Sequence, residues 1–206
     1  MITCKLLKFL LQIILVIFLA EGVRAQSNPN TSPTSHDSIV EYHDNGRIKT
    51  QGNLVKGKRD GDYKIFNIDG QVIEEYRYAK GILNGPSKKY YANGKIQEES
   101  FYIDGLKDQN TTWYYLDGNI SAESYYSKGR MHGPQRSFYI NNILKSEASF
   151  DNNLQVNEYK EYHENGKIKI QGKFEKGEKH GTWLEYDESG KLITKSKYTK
   201  GEKAKS

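Results

Sequence analysis

The residues from Glu161 to Trp183 read E-Y-H-E-N-G-K-I-K-I-Q-G-K-F-E-K-G-E-K-H-G-T-W, and those from Glu41 to Tyr63 read E-Y-H-D-N-G-R-I-K-T-Q-G-N-L-V-K-G-K-R-D-G-D-Y. The two stretches start 120 residues apart, which is five periods of 24. Unbroken self-similarity of this kind is typical of tandem repeats, so the chain is predicted to contain six to seven units of 24 residues. Steps of 24 residues lead from Gly46 to Gly70, Gly94, Gly118, Asn142, Gly166 and Gly190.

Each unit has three positions that favour glycine: the one just named, a second eleven residues later, and a third four residues after that. The fifth unit replaces glycine by asparagine at all three positions, Asn142, Asn153 and Asn157. Asparagine is the residue that best tolerates a positive φ after glycine, which predicts a left-handed backbone at these positions. Gln109, which occupies the third position of another unit, does not fit this rule.

These special residues predict two hairpin turns in each unit. The first turn reads Asn-Gly or Asp-Gly in most units, which favours a type I′ turn between antiparallel strands; the second reads Lys-Gly in most units. Two turns leave room for two strands of about six residues. The predicted fold is all-β: a single elongated antiparallel meander of roughly thirteen strands.

Apolar residues keep step with the turns. They recur four residues before the first glycine of a unit, as at Tyr90, and two and eight residues after it, as at Ile96 and Tyr102. These even offsets predict a ladder of rings and aliphatic side chains on one face of the sheet. With a two-residue second turn, the small residue six after the first glycine, such as Gly52, is expected opposite the third glycine, Gly61.

The chain divides into four predicted segments. Residues 1–25 combine a basic start, a short apolar run and small residues at a cleavage position, which predicts a secretory signal peptide; the alternative is an uncleaved anchor. Residues 26–38 are polar and rich in serine and proline, as flexible linkers are. Residues 39–201 form the repeat domain and residues 202–206 a short tail. The predicted location is therefore the periplasm, the cell surface or the extracellular space.

Charge and cysteine content limit the classes of function. The formal net charge of +5 falls to +3 if residues 1–25 are removed, because Lys5, Lys8 and Arg24 leave together with Glu21. This modest charge is spread among interspersed lysines and glutamates, which disfavours nucleic-acid binding. The one cysteine, Cys4, lies in the predicted signal peptide, so a cleaved chain is expected to have no thiol chemistry.

Candidate chemical groups do not converge on a site in the predicted sheet. His43 and His163 occupy one repeat position, ten predicted strands apart, which is too far for a shared metal ion. Glutamates recur five residues after the first glycine, at Glu75, Glu99, Glu123 and Glu147. They form an even row rather than a pocket, and pairing with lysine is the favoured interpretation over an enzyme. We therefore expect no catalytic residues, no metal and no cofactor.

Tyrosine pairs are the best indication of a binding surface. One ring of each pair belongs to the predicted ladder, so the other is expected on the opposite, open face, where aromatic residues suit protein or glycan contact. A minor second core is the alternative. The candidate partner-binding residues are Tyr91, Tyr115, Tyr125 and Tyr139.

The repeat also resembles a known family. The pattern in Tyr162 to Trp183 (an aromatic residue, Asn-Gly-Lys, a second aromatic residue, Lys-Gly, then His-Gly-x-Trp) is similar to the MORN-repeat variant. Bacterial chains of the YwqK type that carry it are often labelled antitoxin components of toxin–antitoxin systems. The resemblance implies a hairpin-repeat sheet and a role in binding partners, although a signal peptide conflicts with neutralising a cytoplasmic toxin.

Two functions follow from these observations. The first is a non-catalytic exported scaffold that mediates protein–protein interaction. The alternative is an envelope or surface module that binds glycan or lipid headgroups through its Lys-Gly turns. The sequence leaves the partner, the oligomeric state and the binding face open.

Overall fold

The repeat units form strands throughout the part of the chain that the structure, a computed structural model, describes, residues 36–204. Within that range no helix is present, and therefore none that could span a membrane. The predicted signal peptide and most of the predicted linker lie outside the described residues. The strands are β1 (His36–Tyr42), β2 (Ile48–Val55), β3 (Lys58–Phe66), β4 (Val72–Ala79), β5 (Ile82–Tyr90), β6 (Ile96–Ile103), β7 (Leu106–Tyr114), β8 (Ile120–Ser127), β9 (Arg130–Phe138), β10 (Leu144–Asp151), β11 (Leu154–Tyr162), β12 (Ile168–Glu175), β13 (Glu178–Tyr186), β14 (Leu192–Thr199) and β15 (Glu202–Lys203).

All fifteen strands belong to one antiparallel sheet in which their order follows the chain. The predicted all-β meander is therefore confirmed. The predicted strand length of about six residues is wrong, because the strands from β2 to β14 have eight or nine residues. The estimate of thirteen strands is also low: β1 starts at His36, inside the predicted linker, and β15 lies in the predicted tail.

The second turn of each unit is the type I′ turn. Lys56 has a φ of 51° and Gly57 a φ of 72°, and the flanking residues Val55 and Lys58 pair directly. Two consecutive positive φ angles give the turn the twist of the flanking strands. The same geometry recurs in every later unit, including Asn152 and Asn153.

The first turn differs from the predicted type I′ turn. Only its glycine has a positive φ, 80° at Gly46, and Asn45 does not. The amide of Gly46 donates to the carbonyl of His43, whose own amide donates to Arg47. This is a three-residue loop with a left-handed last residue. Asn45 stabilises the loop through its side chain, which accepts a hydrogen bond from the amide of Arg47 at 3.1 Å.

The third glycine position marks a β-bulge. Gly52 pairs with Tyr63 and Leu54 with Arg59, so β3 has two extra residues between these pairs. The backbone is left-handed there in every unit, with φ of 81° at Gly61 and 65° at Gln109. The predicted left-handed position is therefore confirmed even where glutamine occupies it. The predicted partner of Gly52 is wrong by two residues, because the bulge moves Tyr63 to the place expected for Gly61.

One face of the sheet, here called the packed face, carries the buried core. A single row crosses it and takes one residue from each of the first fourteen strands. The core is thin: Tyr63, Ala148 and Trp183 are its buried apolar residues within 36–204, together with small hydroxyl residues. The row runs through Ile39, Gly52, Tyr63, Tyr76, Ser87, Ser100, Thr111, Ser124, Gln135, Ala148, Tyr159, Gly172, Trp183 and Ser196.

The opposite side, here called the open face, carries the glutamate row and half of the predicted ladder. Tyr90 donates a hydrogen bond from its hydroxyl to Glu75 at 2.8 Å, and Glu75 pairs across the strands with Lys88. The ring four residues before the first glycine, such as Tyr90, thus lies on the open face, whereas the ring eight residues after it, such as Tyr102, lies on the packed face. The prediction of one shared face is wrong because the bulge where β5 and β6 pair beside the first turn shifts the register by one residue.

Candidate functional site

Three of the four candidate tyrosines stabilise the sheet instead of facing solvent on the open face. Tyr91, Tyr115 and Tyr139 lie in the first turns, just after their strands end, and are half-buried. Each hydroxyl donates to a backbone carbonyl 23 residues further on: Tyr91 to Tyr114 at 2.6 Å, Tyr115 to Phe138 at 2.7 Å and Tyr139 to Tyr162 at 2.8 Å. The expectation that these rings point out of the open face is therefore corrected.

The two repeat-related histidines follow the same rule. The Nε2 atom of His43 lies 3.0 Å from the carbonyl oxygen of Phe66, and that of His163 lies 2.9 Å from the carbonyl oxygen of Tyr186. A tyrosine or a histidine at this position therefore connects five of the first turns to the next one, whereas Asn67 and Asp187 form hydrogen bonds within their own turns. Among residues 36–204, no cluster of three or more histidine, cysteine, aspartate or glutamate side chains is arranged to hold a metal ion.

Tyr125 is the candidate that lies on the open face. It lies in β8, its residue is 38% exposed, and it pairs with Asn110 of β7. Pro86 of β5 pairs with half-buried Phe101 of β6, and Pro134 lies on β9 next to the residue that pairs with Ser124. Bulges interrupt the pairing between β6 and β7 and between β8 and β9 at this level. These residues lie across β5–β9 on the open face at the level of the bulges; they are here called the Tyr125 stripe, defined by Pro86, Phe101, Asn110, Tyr125 and Pro134.

Charged residues flank this stripe on neighbouring positions of the open face. Lys64 Nζ lies 2.8 Å from Glu75, and Lys88 Nζ lies 2.9 Å from Glu99. The hydrogen bond from Lys64, reinforced by the one from Tyr90, holds the pKa of Glu75 below its ordinary value. Lys88 and Tyr114 lower the pKa of Glu99 in the same way. Burial and the bond to Glu75 raise the pKa of Tyr90 to about 12.

This pattern of paired charges is interrupted beside Tyr125. Glu123 lies opposite Thr112, whereas the other three glutamates of the row lie opposite lysine or arginine at this position. Arg136, on the other side of Glu123, is not within ion-pairing distance. Phe138 stands where Tyr90 and Tyr114 supply hydroxyls, so Glu123 has no phenol donor. Among the described residues Glu123 is thus the one member of the glutamate row with neither contact.

A shallow depression of about 210 Å³ lies on the open face next to this region. It spans β3–β5, and its charged residues form ion pairs, Lys64 with Glu75 and Arg77 with Asp62 at 3.5 Å. The Arg77 side chain lies directly over Gly85, where a Cβ atom would meet it at 2.9 Å. The depression is lined by Asp62, Tyr63, Lys64, Glu75, Tyr76, Arg77, Pro86 and Lys88.

The sequence did not point to a half-buried carboxylate on the packed face. Glu98 has a side chain 13% exposed and accepts hydrogen bonds from Lys107 at 2.5 Å, Ser100 at 2.7 Å and Trp113 Nε1 at 3.1 Å. Burial alone would raise the pKa of Glu98, but the bonds from Lys107 and Ser100 outweigh it, so the pKa is lowered. Trp113, five residues before the first glycine Gly118, could have suggested this cluster, because a tryptophan ring nitrogen that is not exposed needs an acceptor such as Glu98.

The fold and these sites define a tandem-repeat protein whose body is one open sheet of 24-residue hairpin units. Four stretches of the chain match the family model described as MORN repeat variant, namely residues 83–104, 131–152, 155–176 and 179–200. Each of these stretches runs from one second turn to the next, so that it contains one first turn and its two strands. The resemblance to MORN repeats is confirmed for those four stretches.

Comparisons with curated proteins and with solved structures show less similarity than the family model does. No curated protein matches the chain significantly. A crystal structure of TarM is 20% identical over 46% of this chain and 20% of that chain, with a TM-score of 0.31. A mutant of S. aureus TarM in complex with fondaparinux, alpha-GlcNAc-glycerol and UDP is 16% identical over 58% and 21%, with a TM-score of 0.34. A GtfA/B complex bound to UDP and GlcNAc is 11% identical over 53% and 22%, with a TM-score of 0.25. This chain spans about a fifth of the length of these solved chains.

Proposed function

We propose that the protein is a non-catalytic repeat scaffold that holds a protein partner on its open face, centred on the Tyr125 stripe. The observation that carries this proposal is the position of Tyr125, an exposed residue on the open face that lies opposite Asn110 and two residues from Glu123, a carboxylate without an ion-pair or phenol partner. Tyrosine rings supply large contact areas at protein interfaces and lose little conformational freedom on binding.

The charge pattern indicates the chemistry of the partner. Most charges on the open face are already neutralised by a neighbour on the next strand, as Glu75 and Glu99 are. Glu123 is left for an external cation, and a lysine or arginine of the partner that packs beside Tyr125 would complete its hydrogen bonds. A basic residue next to apolar side chains that cover Phe101 and Tyr125 therefore fits this surface.

The ion pairs of the glutamate row support a structural role for these residues. A general acid needs a pKa raised towards neutrality, whereas the pKa values of Glu75 and Glu99 are lowered by their lysine and tyrosine donors. Both carboxylates are held in place by contacts across the sheet. We therefore include the absence of catalysis in the proposal.

The partner is proposed to be an exported protein. This part rests on the basic and apolar pattern of residues 1–25, which is typical of secretory signals. The antitoxin label that accompanies the YwqK-type resemblance would make the partner a protein toxin. An exported toxin would be compatible with both patterns, and a cytoplasmic toxin would not.

A binding experiment tests the proposal directly. The full chain is immobilised and exposed to envelope extract of the host, and the retained protein is quantified against total extract concentration. We expect one saturable protein partner, and a loss of about tenfold in affinity for Tyr125→Ala, since a buried aromatic contact contributes at least 1–2 kcal/mol at an interface.

Lys173→Ala is the matched control. Lys173 is exposed and occupies the same repeat position as Tyr125, two units further on, but outside the stripe. Retention by Lys173→Ala equal to that of the wild-type chain supports the stripe as the site. Equal loss in both variants, or no saturable protein in the extract, would contradict the proposal.

A second candidate function is favoured by one edge of the sheet. Exposed lysines with positive φ recur in the second turns, at Lys56, Lys80, Lys128, Lys176 and Lys200, next to exposed Ile82, Leu106 and Leu154. A cationic edge with apolar residues suits an anionic glycan or lipid surface. Sedimentation with cell-wall glycan and with anionic vesicles at two salt concentrations tests it: salt-sensitive binding that Lys128→Glu weakens and Tyr125→Ala leaves unchanged assigns the function to this edge.

A further inference from the structure

The described sheet ends, after β14, in the two-residue strand β15. Every complete odd-numbered strand, from β3 to β13, has nine residues that run from twelve to four positions before a first-turn glycine or Asn142. β15 covers only the first two of these positions, Glu202 and Lys203. β1 begins at the first described residue and covers the last seven of these positions, His36–Tyr42, of which His36 has the same repeat position as Ala204.

The edge of β14 is correspondingly half-covered. β15 pairs with Tyr198 and Thr199 and reproduces the pairing of Tyr78 and Ala79 with β5. Among the described residues, 192–197 have no strand on their outer side, apart from a hydrogen bond from the amide of Ala204 to the carbonyl of Lys197 at 2.8 Å. Unpaired edge groups of this kind are a template for strand addition.

We propose that β1 of a second copy pairs with this open part of β14, so that the repeat continues from one molecule into the next. The register is fixed by the pairing of β4 with β5, in which Glu74, Glu75 and Tyr76 face Lys89, Lys88 and Ser87. The corresponding pairs are Thr194 with Glu41 of the second copy, Lys195 with Val40, and Ser196 with Ile39. These pairs use residues 39–41 of the second copy, which come after the repeat position that Ala204 occupies just after β15.

The side chains at the two edges fit this register. Within one copy, Thr50 donates a hydrogen bond to the carboxylate of Glu41 at 3.0 Å. Thr194 occupies the same repeat position as Thr50, so it presents a second hydroxyl to the other side of that carboxylate. Ser196 is 8% exposed and lies at the end of the buried row, which Ile39 of the second copy would extend.

Charge also favours head-to-tail contact over contact between like ends. Residues 191–204 contain five lysines, Lys191, Lys195, Lys197, Lys200 and Lys203, against Glu202. Residues 36–46 contain Asp37, Glu41 and Asp44 and no lysine or arginine. Two C-terminal edges repel each other, as do two N-terminal edges, whereas unlike edges attract. Such an interface is heterologous and produces open chains or rings rather than a closed twofold dimer.

The test is sedimentation velocity of the full chain over a concentration series at low and high salt. We expect the average size to increase with concentration and to decrease with salt, because exposed charges are screened. Lys195→Glu/Lys197→Glu, in which both substituted lysines are exposed, is expected to weaken self-association at least about tenfold. Asp37→Lys/Glu41→Lys is expected to do the same from the other end.

Mixing the two double variants provides the decisive measurement. Their altered edges are complementary to each other, and so are their unaltered edges, so the mixture is expected to recover the self-association of the wild-type chain. Lys173→Glu is the matched control, because Lys173 has the repeat position of Lys197 but lies inside the sheet, and it is expected to leave association unchanged. Thermal melting of each variant shows that it is folded.

Three results would overturn the inference. The first is a wild-type chain that stays monomeric at every concentration and salt. The second is self-association that neither double variant weakens, which would place the contact on another surface or on residues 1–35. The third is a folded pair of double variants whose mixture fails to associate.

Discussion

The packed face is filled in two different ways at two regions of the same sheet. Between β11 and β14, which we call the aromatic end, Trp183 packs against Phe174 with ring centroids 5.0 Å apart and against Tyr159 at 5.9 Å. Between β5 and β8, which we call the hydroxyl middle, the same row is filled by Ser87, Ser100, Thr111 and Ser124. Both regions nevertheless bury the row, so the backbone repeat tolerates different fillings.

The two buried rings of the row follow one steric rule. Tyr63 and Trp183 each lie over a glycine of the preceding strand: a Cβ atom at Gly172 would lie 2.3 Å from Trp183, and one at Gly52 would lie 2.4 Å from Tyr63. The half-buried Tyr76 lies between Tyr63 and Ser87 and does not follow this rule. In the hydroxyl middle both partners are small, as in the pair Thr111 and Ser124. The aromatic end therefore gains more apolar burial, while the hydroxyl middle lies beneath the Tyr125 stripe of the open face.

The largest expected effect is at the aromatic end. Trp183 is 5% exposed, and Trp183→Ala is expected to lower the free energy of unfolding by about 3–5 kcal/mol, since the cavity cannot be filled by Gly172. Because stability in a repeat sheet is local, hydrogen exchange of the amides in β12–β14 is the appropriate measurement. Thr111→Ala is the matched variant in the hydroxyl middle and should change exchange far less. Equal effects in the two regions would show that the comparison is wrong.

The steric rule predicts the next largest effect. Gly172→Ala forces a methyl group into the Trp183 ring and is expected to destabilise the chain by about 3 kcal/mol, the upper end for overpacking. Ser124→Ala, at the same repeat position in the hydroxyl middle, is expected to change stability by less than about 0.5 kcal/mol. Ala148 already occupies this position in another unit, so a Cβ atom is tolerated there. Chemical denaturation of both variants gives the difference, and a stable Gly172→Ala chain would contradict the rule.

The architecture could be predicted from the sequence because the residue types in the turns, glycine and asparagine, indicate a positive φ. Asn142 and Asn153 have φ angles of 64° and 69°, as their replacement of glycine predicted. The type I′ turn was assigned to the Asn-Gly pairs, although Lys-Gly adopts it. The asparagine of the first turn uses its side chain as an acceptor, which is a different reason for the same residue to occur in a turn.

The face on which each side chain lies was harder to predict from the sequence. Side chains alternate between the two faces along a strand, and each bulge changes that alternation. One shifted residue beside the first turn moves Tyr90 and Tyr114 to the open face, and two extra residues at Gly61 move Tyr63 opposite Gly52. Of the four candidate tyrosines, only Tyr125 lies inside a strand, where alternation places it reliably. Tyr91, Tyr115 and Tyr139 lie in turns, where alternation does not apply, and the Glu98 cluster combines residues from different repeat positions.

The third prediction concerns Glu98, the charged feature of the hydroxyl middle. Its pKa in the folded chain lies below its ordinary value of 4.5 because Lys107 and Ser100 donate hydrogen bonds to the ionised form. A lowered pKa means that the stabilisation is complete above the unfolded pKa and is lost as pH falls through the folded pKa. Glu98→Gln is expected to destabilise the chain at neutral pH by about 1.5 kcal/mol, the lower end for bonds to charged groups.

The pH dependence distinguishes this charge effect from simple loss of packing. The difference between the wild-type chain and Glu98→Gln should shrink as pH falls from 4.5 through the lower pKa of folded Glu98, since both side chains are neutral only below that pKa. The measurement is the midpoint of urea denaturation at several pH values between acid and neutral. A difference that stays constant over this range would show that the ion pair with Lys107 does not contribute.

The smallest expected effect tests whether the hydroxyl middle is held by its hydroxyl groups. Thr111 is fully buried, and its Oγ1 atom has no hydrogen-bond partner within the described part of the chain, nor has Oγ of its cross-strand partner Ser124. Removing an unsatisfied buried hydroxyl avoids its desolvation penalty, so Thr111→Val is expected to be neutral or to stabilise the chain by up to about 1 kcal/mol. Thr112→Val, one residue away on the open face, controls for the β-propensity of valine. A Thr111→Val chain that loses more than about 1 kcal/mol relative to this control would mean that an ordered water holds the two hydroxyls together. The hydroxyl middle would then be a hydrogen-bonded core, and its difference from the aromatic end would be one of chemistry as well as of side-chain size.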